Sequence, residues 1–156
     1  DGRLAEDCKP STGTWVHLGA LRARILARAG GYLQDVVIAG HDRPFVSALL
    51  FPSLSACRGL ASGLAAETKV PTLLDDPRVS SKFRETLQAV ARESTGGTTF
   101  VARAVLQGAP PSIDAGELTD KGTVSQKAVL ESRAAQVEAL YAERPATNVI
   151  VLEAGA

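Results

Sequence analysis

Lys121 is the side chain with the most chemistry to offer, because of where it stands. It belongs to Glu117-Leu118-Thr119-Asp120-Lys121-Gly122, followed by Thr123-Val124-Ser125-Gln126 and a long helical pattern. Gly122 can take positive φ, so the chain can reverse there, and the free N–H groups of the coming helix leave a positive electrostatic end nearby. An anion is welcome at such a corner, and lysine meets a phosphate or carboxylate as a compact charge on a flexible stem. A merely solvated turn lysine is the plain alternative, and these residues alone do not separate the two. Lys127 is the runner-up, but its place inside the helical pattern makes it an ordinary surface charge.

The remaining reactive side chains have simpler explanations. His17 and His41 have no acidic or cysteine partner at suggestive spacing, which favours a strand-face and a turn histidine over acid–base roles. Cys8 and Cys57 have no second Cys or His at metal-ligand spacing and no activating motif, so reduced or buried thiols are favoured over a disulfide, a zinc site or a nucleophile. No metal site is expected within the chain. The thiols point to a cytoplasmic compartment. Trp15 suits a core or domain contact as well as the wall of a channel.

The elements that must position these residues fit one domain. The chain has 156 residues, 17 basic against 17 acidic, and only 4% aromatics. That is enough for a single core of aliphatic side chains and alanine, in a layered arrangement of helices and sheet. The even charge balance argues against a nucleic-acid surface, so any anion site must be local. No run of about 18 apolar residues and no N-terminal leader pattern is present, so no transmembrane segment or signal peptide is expected. With no methionine and an opening at Asp1-Gly2-Arg3, the sequence reads as a piece of something longer.

Thr14 to Leu18 alternates as a short strand, after a loop closed by Gly13. Leu21, Ile25, Leu26 and Ala29 mark a helix that Gly30-Gly31 stops, with Arg22, Arg24 and Arg28 as a solvated face. Gln34 to Ala39 and Phe45 to Phe51 read as two strands of a hairpin around Gly40-His41-Asp42-Arg43-Pro44. Ser53 to Ala66 has helical spacing weakened by Gly59 and Gly63, Lys69 to Asp76 is a connector, and Asp76-Pro77 starts a helix that Gly96-Gly97 ends. Thr98 to Leu106 is a third strand, closed by Gly108-Ala109-Pro110-Pro111. A helix from about Gln126 to Ala142 follows, with Ser125 or Thr123 as its cap. Val149 to Leu152 reads as a stray strand or a docked terminus. The expected fold is α+β: a small central β-sheet with flanking helices, a short N-terminal hairpin near Gly13 and a C-terminal helix.

Several segments carry a family resemblance. Asp1-Gly2-Arg3-Leu4-Ala5-Glu6-Asp7-Cys8-Lys9 is similar to a Gly-Arg segment and interdomain hinge. Thr12-Gly13-Thr14-Trp15-Val16 with Gly19-Ala20-Leu21-Arg22 is similar to a glycine loop and the helix after it, and Asp35-Val36-Val37-Ile38-Ala39-Gly40-His41-Asp42 to a strand and turn. Glu117 to Gly122, with Gln126 and Val129-Leu130, resembles a terminal lysine motif. Together they resemble the C-terminal domain of the AMP-forming acyl-CoA synthetase (adenylate-forming) superfamily, closest to feruloyl-CoA synthase-like acid–thiol ligases.

The resemblance implies a hinge over residues 1–9, a mobile lid domain over 10–144 and a tail over 145–156, with the chain's partner being its own N-terminal adenylation domain. ATP, Mg2+ and coenzyme A would serve the full-length enzyme together with a carboxylic acid, and this domain alone, inactive in isolation, would hold none of them tightly. Lys121 would be catalytic in adenylate formation, Arg3 would contact the nucleotide ribose, and Gly13 and Trp15 would border the coenzyme A channel after the lid rotates. Ala5 and Glu6 stand at the hinge where many relatives have Asp or Lys, and Lys121 precedes Gly122 where many relatives place the lysine after a glycine. A non-catalytic lid-like binding module, and a ligase that loads a carrier protein, are the competing readings.

Overall fold

The computed structural model describes residues 7–8, 16–93 and 100–152. A two-residue pairing opens it, with β1 (Asp7–Cys8) antiparallel to β2 (Val16–His17). Helix α1 (Leu18–Ala29) begins at once, so Leu18 opens a helix and does not extend the strand that alternation suggested. Leu18, Leu21, Ile25 and Ala29 recur at three- and four-residue spacing and are all buried, which is the stripe a helix needs to dock on a sheet. Gly30, at φ 61°, ends α1 in a conformation that a Cβ would strain.

Four strands form the central sheet in the order β3 (Leu33–Ala39), β4 (Val46–Pro52), β5 (Val101–Leu106), β6 (Val149–Val151). The β3–β4 and β5–β6 pairs are antiparallel, whereas β4 and β5 run parallel. The expected hairpin of β3 and β4 is present, and the Val149 segment resolves as a strand on β5. Every residue of β4 is buried, as a strand covered on both faces requires. Val36, Ile38, Val46, Ala48 and Leu50 face one helical layer, while Val37, Ala39, Leu49 and Phe51 face the other, following the two-residue period of a strand.

The parallel step from β4 to β5 needs a crossover, and three helices supply it: α2 (Leu54–Leu60), α3 (Val70–Asp75) and α4 (Pro77–Glu93). The Ser53–Ala66 helix stops early, at Leu60, and Gly63 beyond it adopts φ 101°. The Lys69–Asp76 connector proves to contain α3, with a proline in its first turn where the missing N–H costs nothing. Asp76 marks the start of α4, its carboxylate accepting the Arg78 N–H at 2.8 Å. The Gly96-Gly97 stop lies outside the described residues.

Helices α1 and α4 pack on one face of the sheet through Leu21, Ile25, Val79, Phe83, Leu87 and Val90, with Cys57 and Leu73 closing that core. Burying each large side chain fully contributes on the order of 1.5–3 kcal/mol. The arginines of α1 are not a free solvated face: Arg22 Nε donates to the Val36 carbonyl (3.2 Å), and Arg28 pairs with Glu93 of α4. On the opposite face lie α5 (Gln126–Ser132) and α6 (Ala134–Leu140), burying Val129, Val137 and Leu140 against Val37, Leu49 and Phe51. The single C-terminal helix expected from Gln126 to Ala142 is therefore two, broken at Arg133 (φ −112°, ψ 29°).

Candidate functional site: the Lys121 loop and its buried base

Past Leu106 the chain cannot continue as sheet, because Pro110 and Pro111 have no N–H to give a neighbour. The backbone instead folds on itself. Glu117 N–H donates to the Ser112 carbonyl (2.9 Å), and Ser125 N–H donates to the Glu117 carbonyl (2.8 Å). Between those anchors an isolated antiparallel bridge joins Leu118 to Val124. Thr119 N–H donates to the Thr123 carbonyl (2.8 Å), and Gly122 N–H to the Thr119 carbonyl (2.9 Å). Gly122 has φ 80°, as expected for the reversal. Lys121 stands at the tip with its side chain exposed, its N–H 3.3 Å from Thr119 Oγ1.

Beneath the tip lies a polar core. The Glu117 side chain is 2% exposed, yet its carboxylate accepts four hydrogen bonds. Arg133 Nε donates to Oε2 (2.8 Å) and Nη2 to Oε1 (2.9 Å), Ser112 N–H donates to Oε1 (2.8 Å), and Ser132 Oγ donates to Oε2. The Arg133 guanidinium holds the Glu117 carboxyl down at about 2 against the opposing effect of burial, with Ser132 and Ser112 assisting. Arg133 in turn engages Gln107 Oε1 (2.8 Å), the Ala109 carbonyl (3.0 Å) and the Pro110 carbonyl (3.0 Å). Guanidinium has five N–H donors, and here each has an acceptor. Its plane also lies over Phe51, 4.9 Å from the ring centroid.

Downstream, the loop is tied to the sheet. Ser125 Oγ accepts the Ala128 N–H (3.3 Å) and so is the cap of α5, in place of Thr123. The Gln126 side-chain amide donates to the Val36 carbonyl (3.2 Å) and accepts the Ile38 N–H (3.3 Å), pairing with the edge of β3 as another strand would.

Of the predicted site residues, the structure places Lys121 on an exposed loop tip, and Lys127 is exposed on α5. Arg3, Ala5, Glu6, Gly13 and Trp15 lie outside the described residues, so their grouping with Lys121 is not observed. The positive helix end expected beside Lys121 belongs to a seven-residue helix whose first turn already has Ser125 as its cap. His17 and His41 are exposed. Cys57 is fully buried, and burial pushes its thiol up to about 11, which makes it unreactive. Among the described residues no three His, Cys, Asp or Glu side chains converge on a metal position, and no helix is long and apolar enough to cross a membrane. Sequence reasoning missed the roles of Glu117, Arg133 and Gln107. Glu117 and Arg133 are sixteen residues apart, a spacing no local pattern links.

A mixed four-stranded sheet with helices on both faces, and a clamped loop with an exposed lysine at its tip, define a small α+β domain. The chain belongs to the AMP-binding enzyme C-terminal domain family of the adenylate-forming superfamily, whose model matches residues 11–145. It is similar in structure to the A-PCP didomain of carboxylic acid reductase from Segniliparus rugosus in complex with AMP, with TM-score 0.66 and 22% identity over 87% of this chain and 17% of that one. The A domain of carboxylic acid reductase from the same organism, in complex with AMP and a co-purified carboxylic acid, gives TM-score 0.66 and 23% identity over 89% of this chain and 20% of that one. The adenylation domain of a carboxylate reductase from Mycobacterium chelonae gives TM-score 0.70 and 19% identity over 90% of this chain and 20% of that one. At such identities the likeness speaks for the fold. The chain spans about a fifth or less of the length of these structures. No curated protein matches it.

Proposed function

We propose that this chain is the mobile C-terminal lid of an ATP-dependent, AMP-forming acid–thiol ligase, working against an N-terminal adenylation domain. The carboxylate oxygen of the acid attacks the α-phosphorus of ATP, the bond to the β-phosphate bridge breaks and pyrophosphate leaves. A thiolate then attacks the acyl carbon and AMP departs. The observation that carries the reading is Lys121, exposed at the tip of a loop whose base is buried, in a chain of the adenylate-forming superfamily. A fixed ammonium at the reacting centre offsets negative charge gathering around phosphorus. Arg3 would contact the ribose, Ala5 and Glu6 would absorb the lid's rotation, and Gly13 and Trp15 would border the channel for the thiol.

Mg2+ would enter with the phosphates of ATP. We assign coenzyme A as the acceptor, on the resemblance of the Thr12–Arg22 and Glu117–Leu130 segments to feruloyl-CoA synthase-like ligases. A carrier-protein thiol is the competing acceptor, separated by assaying both.

The test is Lys121→Ala in the full-length enzyme, with the two half-reactions measured apart. Adenylate formation, followed as pyrophosphate release in a single turnover, should slow by about 10²-fold or more, as for loss of an oxyanion-type charge. Transfer from supplied acyl-adenylate to the thiol should hardly change. Equal losses in both steps refute the assignment.

A further inference from the structure

We infer that Glu117 and Arg133 are positioning residues for Lys121, a buried ion pair that fixes the lysine loop in register for adenylate formation. The inference rests on the reading of Lys121 given above and adds two residues to it. Every polar atom of Glu117 is committed to the loop or its base. The N–H and carbonyl bond Ser112 and Ser125, and the carboxylate bonds Ser112, Ser132 and Arg133. Both strands of the turn that carries Lys121 therefore leave from one residue, and that residue is fixed by a guanidinium with no N–H to spare.

Arg133 connects the loop to the rest of the molecule. It reaches Gln107 at the end of β5, the carbonyls of Ala109 and Pro110 where the chain leaves the sheet, and the face of Phe51 in β4. Gln107 is itself held from two sides, its N–H donating to the Leu50 carbonyl (2.8 Å) and its Nε2 to Gln136 (2.7 Å). The lysine backbone is thus tied to the two central strands through directional bonds.

Stability alone does not call for this arrangement, since a well-packed apolar replacement of a buried ion pair is often neutral or stabilising. What the bidentate pair supplies is geometry: the fork admits one relative placement of its partners. A lysine stem has four rotatable bonds, so its charge arrives reproducibly only if its Cα does. A 1 Å misplacement of a reacting group costs about 10²-fold in rate.

The experiment uses the full-length enzyme and a double-mutant cycle. Glu117→Gln keeps the size of the side chain but turns an amide N–H2 toward Arg133. In otherwise wild-type enzyme it should lower kcat for adenylate formation about 10-fold or more, with KM for ATP changed less than about 3-fold and thiol transfer from supplied adenylate unchanged. In a Lys121→Ala background it should cost nothing further, because the group it positions is gone. If the variant fails to fold, Ser132→Ala, which removes one donor from Oε2, should show the same pattern with a loss of about 3-fold. A folded Glu117→Gln enzyme with normal adenylation overturns the inference, as does a loss that simply adds to that of Lys121→Ala. A Lys121→Ala enzyme that adenylates normally overturns the reading of the lysine itself.

Discussion

Removing the guanidinium from the base of the Lys121 loop gives the most discriminating stability test, because the size of its effect depends on pH. Arg133→Met keeps much of the side-chain volume over Phe51 but strips three of the five N–H···O contacts from loop carbonyls and Gln107, and two from Glu117. In the wild-type chain the Glu117 carboxyl is depressed from 4.5 to about 2. A depressed carboxyl stabilises the fold fully above its unfolded value and loses that contribution as pH falls through the folded one. The drop corresponds to on the order of 3 kcal/mol, fading between about pH 5 and pH 2. Without Arg133 the same carboxylate is buried with only Ser112 and Ser132 as donors, and desolvation drives its pKa up. Breaking a buried pair in this way costs about 3–5 kcal/mol at neutral pH. The cost should shrink as the orphaned carboxyl protonates. Urea unfolding followed by far-UV circular dichroism at pH 7, 5 and 3 measures this directly, through the transition midpoint and slope. We expect the gap between wild type and Arg133→Met to be largest at pH 7 and to fall by about half or more at pH 3. A gap under about 1 kcal/mol at pH 7, or one that does not vary with pH, refutes the coupling.

Three further outcomes are expected. Gly13→Leu in the full-length enzyme, if the loop borders the thiol channel, should leave single-turnover pyrophosphate release intact and lower thioester formation from supplied adenylate; normal thioester formation by a folded variant removes the channel role. Phe83→Ala, at a 1% exposed position between α4 and the sheet, should destabilise the chain by about 3–5 kcal/mol in urea unfolding; a loss below about 1 kcal/mol contradicts the packing of that face. Cys57, fully buried with its thiol pushed up to about 11, should resist iodoacetamide at pH 8 in the folded chain and react once urea is added, as read by peptide mass spectrometry; labelling of the native protein refutes its burial.

Most of the fold was legible because it is written in local periods. Leu21, Ile25 and Ala29 repeat at helical spacing, and Val36 to Ile38 and Ala48 to Phe51 are unbroken apolar runs, so α1 and the β3–β4 hairpin could be drawn before any packing was known. Elements whose signal depends on neighbours were not legible. The six residues of α3 are too few to show a period, and Val149–Val151 is a strand only because the edge of β5 is open to it. The helix break at Arg133 was hidden for the same reason, since Val129, Leu130, Val137 and Leu140 suit one continuous face.

The candidate site divides along the same line. Sequence alone determined that a lysine stands in a reversing turn before a capped helix: Asp-Lys-Gly, with Thr123 or Ser125 to cap, states that within a few residues, and the structure selects Ser125. It did not determine what the turn rests on. Glu117 opens the lysine motif and Arg133 lies within a helical pattern, but a carboxylate and a guanidinium carry no mark of burial in a one-dimensional string. Only the tertiary structure decided that they meet. Folding carries the end of β5, the proline-rich exit and the α5–α6 junction to one point, where a buried charge must find its partner because desolvating it alone costs several kcal/mol.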